Sequence, residues 1–505
     1  MTVWLDRMLG RVTMYRLVLI VLVVIGVVAA AEGTLGVIFY TPQAIVVSAA
    51  VAIVVSYGTN RLFAAIWRVR PHGESSVITA LLLVFLLSPA LDGRSLGALA
   101  LAAVAANLSK YLLAWRGRHV FNPVAVGAVA VMLTQLTGAT WWVATPFLLP
   151  VIVLGGLLVL YRAHAWDIAV PLVVVAVVGI SVRLIAGGVD PGTAVWSAFT
   201  SYPYLFFAAF LASEPLTAPP RRWQRILVGV VIGAVVLIPV HVGFVAMSPE
   251  IALLVGNVLA FAFGQRRRVR LALEERRTLP GSLLELAFRP ERALRFRPGQ
   301  WVELSLPHAS ADTRGARRVF SIANRPGAET VLIATRSANP QSSFKTALEA
   351  LEPGQAVMGS TVGGDFVLPR DPRIPLLWIA GGIGITPFVS FADHGASGSA
   401  SGIADAVLVW AIRDPDDLVY ADVFDRAGVR VFIVGPLALG AAGVLPAGWT
   451  YLGVDLGALD LRASVPDAAA RRVYVAGSPR IVRAGRLAAR AAGARRIRTD
   501  RFVGY

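Results

Sequence analysis

The pattern of apolar and polar residues divides the chain into two halves. Before about residue 265, apolar runs follow one another with only short polar loops between them, and each run has the length of about 20 residues that crosses a bilayer. We therefore expect residues 1–265 to form a polytopic α-helical membrane domain with about ten spans. The spans are predicted at residues 15–31, 43–66, 76–91, 95–115, 123–137, 142–161, 167–187, 197–213, 223–243 and 248–265.

The first span has a second interpretation. Arg7, Arg11 and Arg16 precede or begin it, and small residues stand at Ala29, Ala30 and Ala31. This arrangement is also typical of a signal peptide with its cleavage site. We favour a retained helix, and cleavage remains the alternative.

In the second half, apolar and polar residues follow a different pattern. Residues 266–370 alternate apolar and polar positions in short segments, such as 300–306 and 330–336, which predicts an antiparallel β-barrel. Residues 371–505 alternate apolar strands with helical segments, which predicts an α/β domain with a parallel sheet. Its strands are predicted at residues 376–379, 406–411, 429–434 and 472–476.

Composition agrees with a membrane half. The 505 residues are 56% hydrophobic with a mean hydropathy of +0.68, which is too apolar for a soluble enzyme of this size. The chain has no cysteine. It therefore has no disulfide, no thiolate chemistry and no cysteine-ligated iron–sulfur cluster.

Charge predicts the orientation. The net charge is +17, and much of it lies in alternate loops, which the positive-inside rule assigns to the cytoplasm. An even number of spans then places both termini in the cytoplasm, with the protein in the plasma membrane. This accounts for the charge without a nucleic-acid partner. The charged loops contain Arg68, Arg70, Lys110, Arg116, Arg118, Arg162, Arg221, Arg222, Arg225, Arg266, Arg267, Arg268 and Arg270.

Two stretches of the second half suit nucleotides. In Arg318-Val319-Phe320-Ser321, a cation can meet a diphosphate, a ring can lie on an isoalloxazine, and a hydroxyl can approach its reactive nitrogen. The turn Gly381-Gly382-Ile383-Gly384 follows an apolar strand and precedes Thr386-Pro387. Backbone amides of such a turn and helix start face a diphosphate.

These stretches, in this order and spacing, resemble the ferredoxin–NADP reductase family over roughly residues 267–505. Further matching motifs are Pro298-Gly299-Gln300, Ser342-Ser343-Phe344-Lys345, Pro353-Gly354-Gln355, Gly364-Asp365-Phe366 and the ending Asp500-Arg501-Phe502-Val503-Gly504-Tyr505.

The resemblance implies FAD as cofactor and NADH or NADPH as co-substrate, without deciding between the two. Ser321 is implied near the hydride-accepting nitrogen, and Tyr505 as a ring that covers the flavin. Gly477 stands where the family has a Cys-Gly pair facing the nicotinamide. No metal site is predicted. The implied binding residues are Arg318, Val319, Phe320, Ser321, Ser342, Ser343, Gly382, Gly384, Thr386, Pro387, Gly477 and Tyr505.

The membrane half contains three unusual polar stretches: Glu74-Ser75-Ser76, Asn107 to Asn122-Pro123, and Ser213-Glu214-Pro215. Polar groups at membrane depth are costly unless they face a cavity, partner or ligand. Over roughly residues 15–265 the half looks like the membrane subunits of two redox-driven pumps, the sodium-translocating NADH:quinone reductase and the Rnf complexes. A flavin or quinone site is the favoured interpretation. The alternative for Asn122 is a plain helix N-cap.

Thr137-Gly138-Ala139-Thr140 resembles the end of the sequence at which flavin mononucleotide (FMN) is attached to threonine in those pump subunits. The resemblance implies FMN on Thr140, at the external face. The alternative is a turn held at the bilayer interface by Trp141 and Trp142.

The expected function is a membrane-bound flavin oxidoreductase. It moves hydride from NAD(P)H to FAD and electrons onward to a membrane-domain flavin or quinone, with membrane lipid and other redox subunits as partners. One alternative is that the chain is a subunit of an ion-translocating redox transporter. Another is a haem-type ferric reductase, which needs histidines stacked inside helices, whereas His72, His119 and His164 fall in predicted loops.

Overall fold

The computed structural model describes residues 12–69, 73–115, 118–264, 268–308, 312, 316–337, 341–397, 403, 405–440 and 445–502. The chain separates into two compact units, Met1–Arg266 and Arg267–Tyr505. The predicted further division at residue 370 remains a prediction.

The first unit is helical, as predicted. Its helices are α1 (Met14–Thr34), α2 (Pro42–Ile66), α3 (Gly73–Leu86), α4 (Gly93–Leu112), α5 (Pro123–Leu133), α6 (Leu149–Ala163), α7 (Trp166–Ala186), α8 (Pro191–Thr200), α9 (Tyr204–Ala212), α10 (Arg222–Val235) and α11 (Pro249–Phe263).

Among the described residues, four helices are long and apolar enough to cross a membrane: α1, α2, α4 and α7. The pair α8 and α9, bent by 46°, would add a fifth span. Helices α3, α5, α6 and α11 are apolar but shorter. They lie where spans were predicted, so the ten complete spans remain a prediction.

Two segments of the first unit repeat one order of elements. Helices α3 and α4 are followed by a ribbon of Ala114–Trp115 with Arg118–His119 and then by α5. Helices α9 and α10 are followed by a ribbon of His241–Val242 with Val245–Ala246 and then by α11. Helices α5 and α11 contact each other.

The repeated segments also share their helix ends. Helix α3 ends just before Ser88-Pro89 and α9 just before Glu214-Pro215, since a proline disfavours helical geometry in the residue before it. Both α5 and α11 begin with proline after a polar N-cap residue. Helix α3 is buried over most of its length, which suits a helix that is apolar on all sides.

The second unit begins with a six-stranded antiparallel sheet. Its strands are β1 (Val269–Leu279), β2 (Leu283–Pro290), β3 (Trp301–Ser305), β4 (Arg317–Ser321), β5 (Val331–Arg336) and β6 (Ala356–Gly363), in the order β4-β3-β6-β1-β2-β5. A bridge between Ile322 and Ile333 joins the two outer strands. Helix α12 (Ser343–Glu349) lies between β5 and β6 in the chain. Closure into a complete barrel remains a prediction.

A six-stranded parallel sheet follows. Its strands are β7 (Leu376–Gly381), β8 (Ala406–Ala411), β9 (Arg430–Val434), β10 (Thr450–Gly453), β11 (Arg472–Gly477) and β12 (Ile497–Arg501), in the order β10-β9-β8-β7-β11-β12. The helices are α13 (Thr386–Ala396), α14 (Ala421–Arg426), α15 (Leu461–Ser464) and α16 (Pro479–Ala491). The four predicted strands appear within one or two residues of their predicted bounds.

The strand order places a topological switch point between β7 and β11. From β7 the chain runs outward to β10 on one side, then crosses to β11 and β12 on the other. Ligands of open α/β sheets bind at the carboxyl ends of strands at such a point. A ligand of this sheet would therefore bind near the residues that follow Gly381 and Gly477.

Candidate functional site

Strand β4 presents its predicted residues on two faces. Arg318, Phe320 and Ser321 are buried, whereas the side chain of Val319 is 54% exposed. Successive strand residues point to opposite faces. A cofactor bound on the Arg318 face could therefore contact the backbone of Val319 but not its side chain.

The guanidinium of Arg318 lies close to an acidic side chain and to an aromatic ring. Its Nη2 is 3.6 Å from Oδ1 of Asp312, and its Cζ is 5.3 Å from the centre of the Phe344 ring. A buried cation with an exchangeable carboxylate partner suits an incoming diphosphate, because phosphate oxygens can take the same guanidinium hydrogen bonds.

Phe320 packs against Phe344, with ring centres 6.0 Å apart and ring planes 28° apart. Beside it, Ser321 Oγ is buried and has no hydrogen-bond partner within the described part of the chain. Buried hydroxyls are normally hydrogen-bonded. This lone hydroxyl at the end of β4 is what a site for a polar cofactor atom requires, so the residues fit FAD.

Ser342 and Ser343 have local roles. Ser342 is the N-cap of α12, where its hydroxyl accepts from the amide of Lys345 at 3.3 Å. Ser343 Oγ accepts from the amide of Asp312 at 2.9 Å and lies 3.0 Å from Nε2 of His308. Asp312 thus borders both Arg318 and Ser343, a connection that no sequence motif indicated.

Pro298-Gly299-Gln300 positions the chain around this strand. The side chain of Gln300 accepts from the amide of Arg297 at 2.9 Å and donates to the carbonyl of Gly364 at 3.0 Å. Gly299 has φ +81°, and a Cβ there would lie 2.2 Å from the carbonyl oxygen of Phe366. The motif is therefore structural.

The glycine turn lies at the switch point. After β7, Gly382 adopts φ +54°, and α13 begins at Thr386-Pro387, where Thr386 Oγ1 donates to the carbonyl of Ile383 at 3.0 Å. A Cβ on Gly384 would lie 2.5 Å from Cα of Gly477. Only glycine permits this approach of the two strand ends.

The end of the chain runs beside Gly477. The amide of Phe502 donates to the carbonyl of Gly477 at 2.9 Å, and Asp500 pairs with Ala476 in the register of β12 and β11. Burial raises the pKa of the Asp500 carboxyl to about 6. Tyr505 lies outside the described residues, so its predicted role over the flavin remains a prediction.

In the first unit, the break after α9 holds a polar cluster. Oε1 of Glu214 lies 3.0 Å from Nε2 of His119, and Oε2 accepts from Nδ2 of Asn122 at 3.0 Å and from Thr217 Oγ1 at 3.3 Å. Arg118 donates to the carbonyl oxygens of two residues of the same turn. Two of the predicted polar stretches therefore meet at Glu214.

Lys110 joins the third stretch. Its Nζ donates to Thr79 Oγ1 at 2.9 Å, to Asn107 Oδ1 at 3.1 Å and to Ser75 Oγ at 3.4 Å. The sequence analysis placed Lys110 in a charged loop, whereas the structure places it within α4. Two of its three partners, Ser75 and Thr79, lie on α3, and sequence alone could not predict these contacts.

Thr140 lies in the wall of a cavity of about 920 Å³ in the first unit. Its hydroxyl accepts from Ser88 Oγ at 3.2 Å, and Ser88 in turn accepts from the hydroxyl of Tyr40 at 3.1 Å. Apart from Trp141 and Trp142, the rest of the wall was not predicted from the sequence. It includes the aromatic residues Phe39, Tyr40, Trp141, Trp142, Phe147, Tyr202 and Tyr204, with Arg183 as a cation.

Known protein families match the second unit. The oxidoreductase NAD-binding domain family matches residues 378–486. These residues are similar to an oxidoreductase NAD-binding domain. The matched stretch contains the glycine turn, Thr386-Pro387 and Gly477.

Two of the curated relatives are electron transfer components of dioxygenases. The 2-halobenzoate 1,2-dioxygenase electron transfer component of Burkholderia cepacia is 28% identical over 151 residues, 29% of this chain and 41% of the relative. The toluate 1,2-dioxygenase electron transfer component of Pseudomonas putida is 29% identical over 169 residues, 33% of this chain and 48% of the relative. The chain thus spans less than half the length of these relatives.

Solved structures align with about half of the chain. The FAD/NAD-binding domain of nitric oxide dioxygenase from Vibrio cholerae covers 46% of this chain and 98% of its own, at 16% identity and a TM-score of 0.38. A ferredoxin NADP⁺ reductase from Neisseria gonorrhoeae with bound FAD and NADP gives the same coverage and identity, at 0.39. The family match and the curated relatives thus make the second unit similar to oxidoreductases and electron transfer components. The likeness of the first unit to pump subunits remains a prediction.

Proposed function

We propose that the chain is a membrane-bound oxidoreductase that takes electrons from NADH or NADPH through FAD and passes them to an acceptor in the first unit. The observation that carries the proposal is the approach of Gly384 to Gly477 at the switch point of the NAD-binding domain. In the same unit, the buried residues Arg318 and Ser321 would bind a flavin.

Each residue of the second unit has a physical task. Arg318 binds the diphosphate of FAD, Ser321 offers its hydroxyl to the ring, and Phe320 with Phe344 backs the site. The glycine turn admits the diphosphate of the nicotinamide nucleotide. When bound, FAD would couple the two-electron oxidation of NAD(P)H to one-electron reduction of acceptors. Tyr505 would shield the ring when no nucleotide is bound.

The acceptor would be a quinone or a second flavin. The cluster of Glu214, His119 and Asn122 and the hydrogen-bonded Lys110 support an internal site, because such groups are rarely kept inside an apolar helical unit without a ligand. The first unit would lie in the plasma membrane among lipid and other redox subunits, with the second unit in the cytoplasm.

Covalent FMN on Thr140 is the finer form of this proposal. The exposed Thr140 hydroxyl faces a cavity with aromatic walls and one cation, which suits a flat ring and a phosphate. Thr140→Val should abolish flavin fluorescence of the denatured protein, whereas Thr137→Val, in the same loop, should keep it. A fluorescent band that survives in Thr140→Val would contradict the attachment.

The flavin site is tested within one strand. Arg318→Ala should lower FAD affinity at least about tenfold, because a charged hydrogen bond contributes roughly 1.5–3 kcal/mol. Ser321→Ala should retain FAD and slow its reduction by NAD(P)H. The control is Val319→Ala, on the exposed face of the same strand, which should change neither. Unchanged FAD content of purified Arg318→Ala would exclude Arg318 from the site.

A further inference from the structure

Helix α16 of the second unit carries an unusual surface. Its inner face packs on the sheet through Val482, Gly485, Ala488 and Ala489. Its outer face is made almost entirely of arginine. The exposed arginines are Arg480, Arg483, Arg486 and Arg490 on the helix and Arg495 and Arg496 just after it.

These side chains form one row. At 3.6 residues per turn, Arg480, Arg483, Arg486 and Arg490 fall within about one third of the helix circumference. Leu487 lies in the same row, and its side chain is 57% exposed. Residues 479–496 contain no aspartate or glutamate. The row is therefore cationic along its length, with an apolar residue in its middle.

Four other exposed arginines of the second unit are paired with acids. Arg277 contacts Glu275, Arg289 contacts Glu274, Arg373 contacts Asp371 and Arg426 contacts Asp422. By contrast, no carboxylate of the described chain is within ion-pair distance of the four arginines of the α16 row, or of Arg495 and Arg496. An unpaired cationic row suits an anionic partner, because no internal acid competes for it.

We propose that the α16 row binds the anionic headgroups of the phospholipid bilayer in which the first unit lies. Rows of arginine with an exposed leucine are typical of helices that lie on membranes, where the leucine enters the boundary between headgroups and acyl chains. This inference rests on the proposed membrane location of the first unit.

The covalent link favours lipid over a soluble acidic protein. Helix α11 ends at Phe263 and β1 begins at Val269, and the residues between them span at most about 20 Å when fully extended. A bilayer that holds α11 is therefore always within reach of the second unit. A tethered surface acts at a high effective concentration, whereas a soluble partner must be supplied by diffusion.

The absence of cysteine from the chain permits a direct test. Leu487→Cys in the full chain is labelled with an environment-sensitive fluorophore and reconstituted into nanodiscs with a shallow spin-label quencher. One set of discs is phosphatidylcholine alone, and the other has roughly 30% phosphatidylglycerol, which gives an anionic surface. We expect strong quenching only in the anionic discs, and its loss in roughly 1 M salt, where the screening length is about 3 Å.

Two charge variants separate this surface from net charge. Replacing Arg480, Arg483, Arg486 and Arg490 with glutamine should lower the quenching about tenfold, since each cation adds to the attraction. The matched control replaces the paired Arg277, Arg289, Arg373 and Arg426 with glutamine, which removes the same charge and should keep the quenching. Equal quenching in both discs, none in either, or equal loss in both variants would overturn the proposal. A soluble acidic partner gives the second of these results.

The same samples report on the proposed function. Bleaching of flavin absorbance by NAD(P)H shows that the second unit is folded and active in each variant. A silent label with normal bleaching refutes only the lipid contact. A responsive label without bleaching refutes only the oxidoreductase function.

Discussion

Single residues of strand β4 show what a motif can and cannot predict. The sequence identified Arg318, Phe320 and Ser321, and the structure buries all three. It also included Val319, whose side chain is 54% exposed. Asp312 and His308 were not identified, since their contacts with Arg318 and Ser343 depend on how distant segments pack.

Asp500 should make stability depend on pH. Its pKa is raised to about 6, above the value of about 3.9 in an unfolded chain. The folded state therefore loses stability as the pH rises through about 6. Asp500→Asn should stabilise the second unit on the order of 2 kcal/mol at pH 8, a rise in Tm of roughly 4–8 °C, and have little effect at pH 4.

Scanning fluorimetry in detergent at both pH values measures this difference. Asp455→Asn, a substitution of an exposed acid in the same unit, serves as the control and should not change Tm with this pH profile. A parallel shift of Asp500→Asn at pH 4 and pH 8 would show that ionisation of Asp500 is not the cause.

Elements were predicted well where their length and period are regular. The strands of the parallel sheet were found because each is a short apolar run bounded by turns. Helices of the first unit were found, but their ends were not, because apolar runs extend past α3 and α5 into loops. The repeated segments, with their paired ribbons, were not recognised, since hydropathy alone does not distinguish a short ribbon from a loop.

The contact between the glycine turn and β11 should tolerate no side chain. Gly384→Ala would place Cβ 2.5 Å from Cα of Gly477, and backbone cannot rotate away as a side chain can. We expect a loss of about 1–3 kcal/mol in stability and weaker NAD(P)H binding, measured by Tm and KM. Gly457→Ala, where a Cβ meets only ordinary contacts, is the control. A normal KM in Gly384→Ala would mean that the turn does not shape the nucleotide site.

At the scale of the whole molecule, the sequence predicted a helical half and a second half built from an antiparallel and a parallel sheet. Composition could not settle the number of spans, because a short apolar helix and a complete span are built from the same types of residue. Orientation rests on charged loops alone. The three polar stretches were predicted to form a flavin or quinone site. Their contacts at Glu214 and at Lys110 depend on tertiary structure and could not be predicted from the sequence.

Reporter fusions test the orientation. A reporter placed after Arg118 or after Arg225 should be cytoplasmic, and one between Gly138 and Trp141 should be external, because the positive loops stay inside. Matched pairs of phosphatase and fluorescent-protein fusions control for expression. A cytoplasmic signal near Thr140 would reverse the orientation of that loop and remove the basis for FMN attachment there.

The short connection between Phe263 and Val269 has a kinetic consequence. A donor and an acceptor on one chain, joined by so few residues, meet without a bimolecular encounter. Reduction of an acceptor held in the first unit should then be first order, with a rate that does not change when the protein is diluted. Soluble reductases slow on dilution because they must find their partner. Lengthening the connection with flexible residues should lower this rate gradually, since the local concentration of one unit at the other falls with linker length.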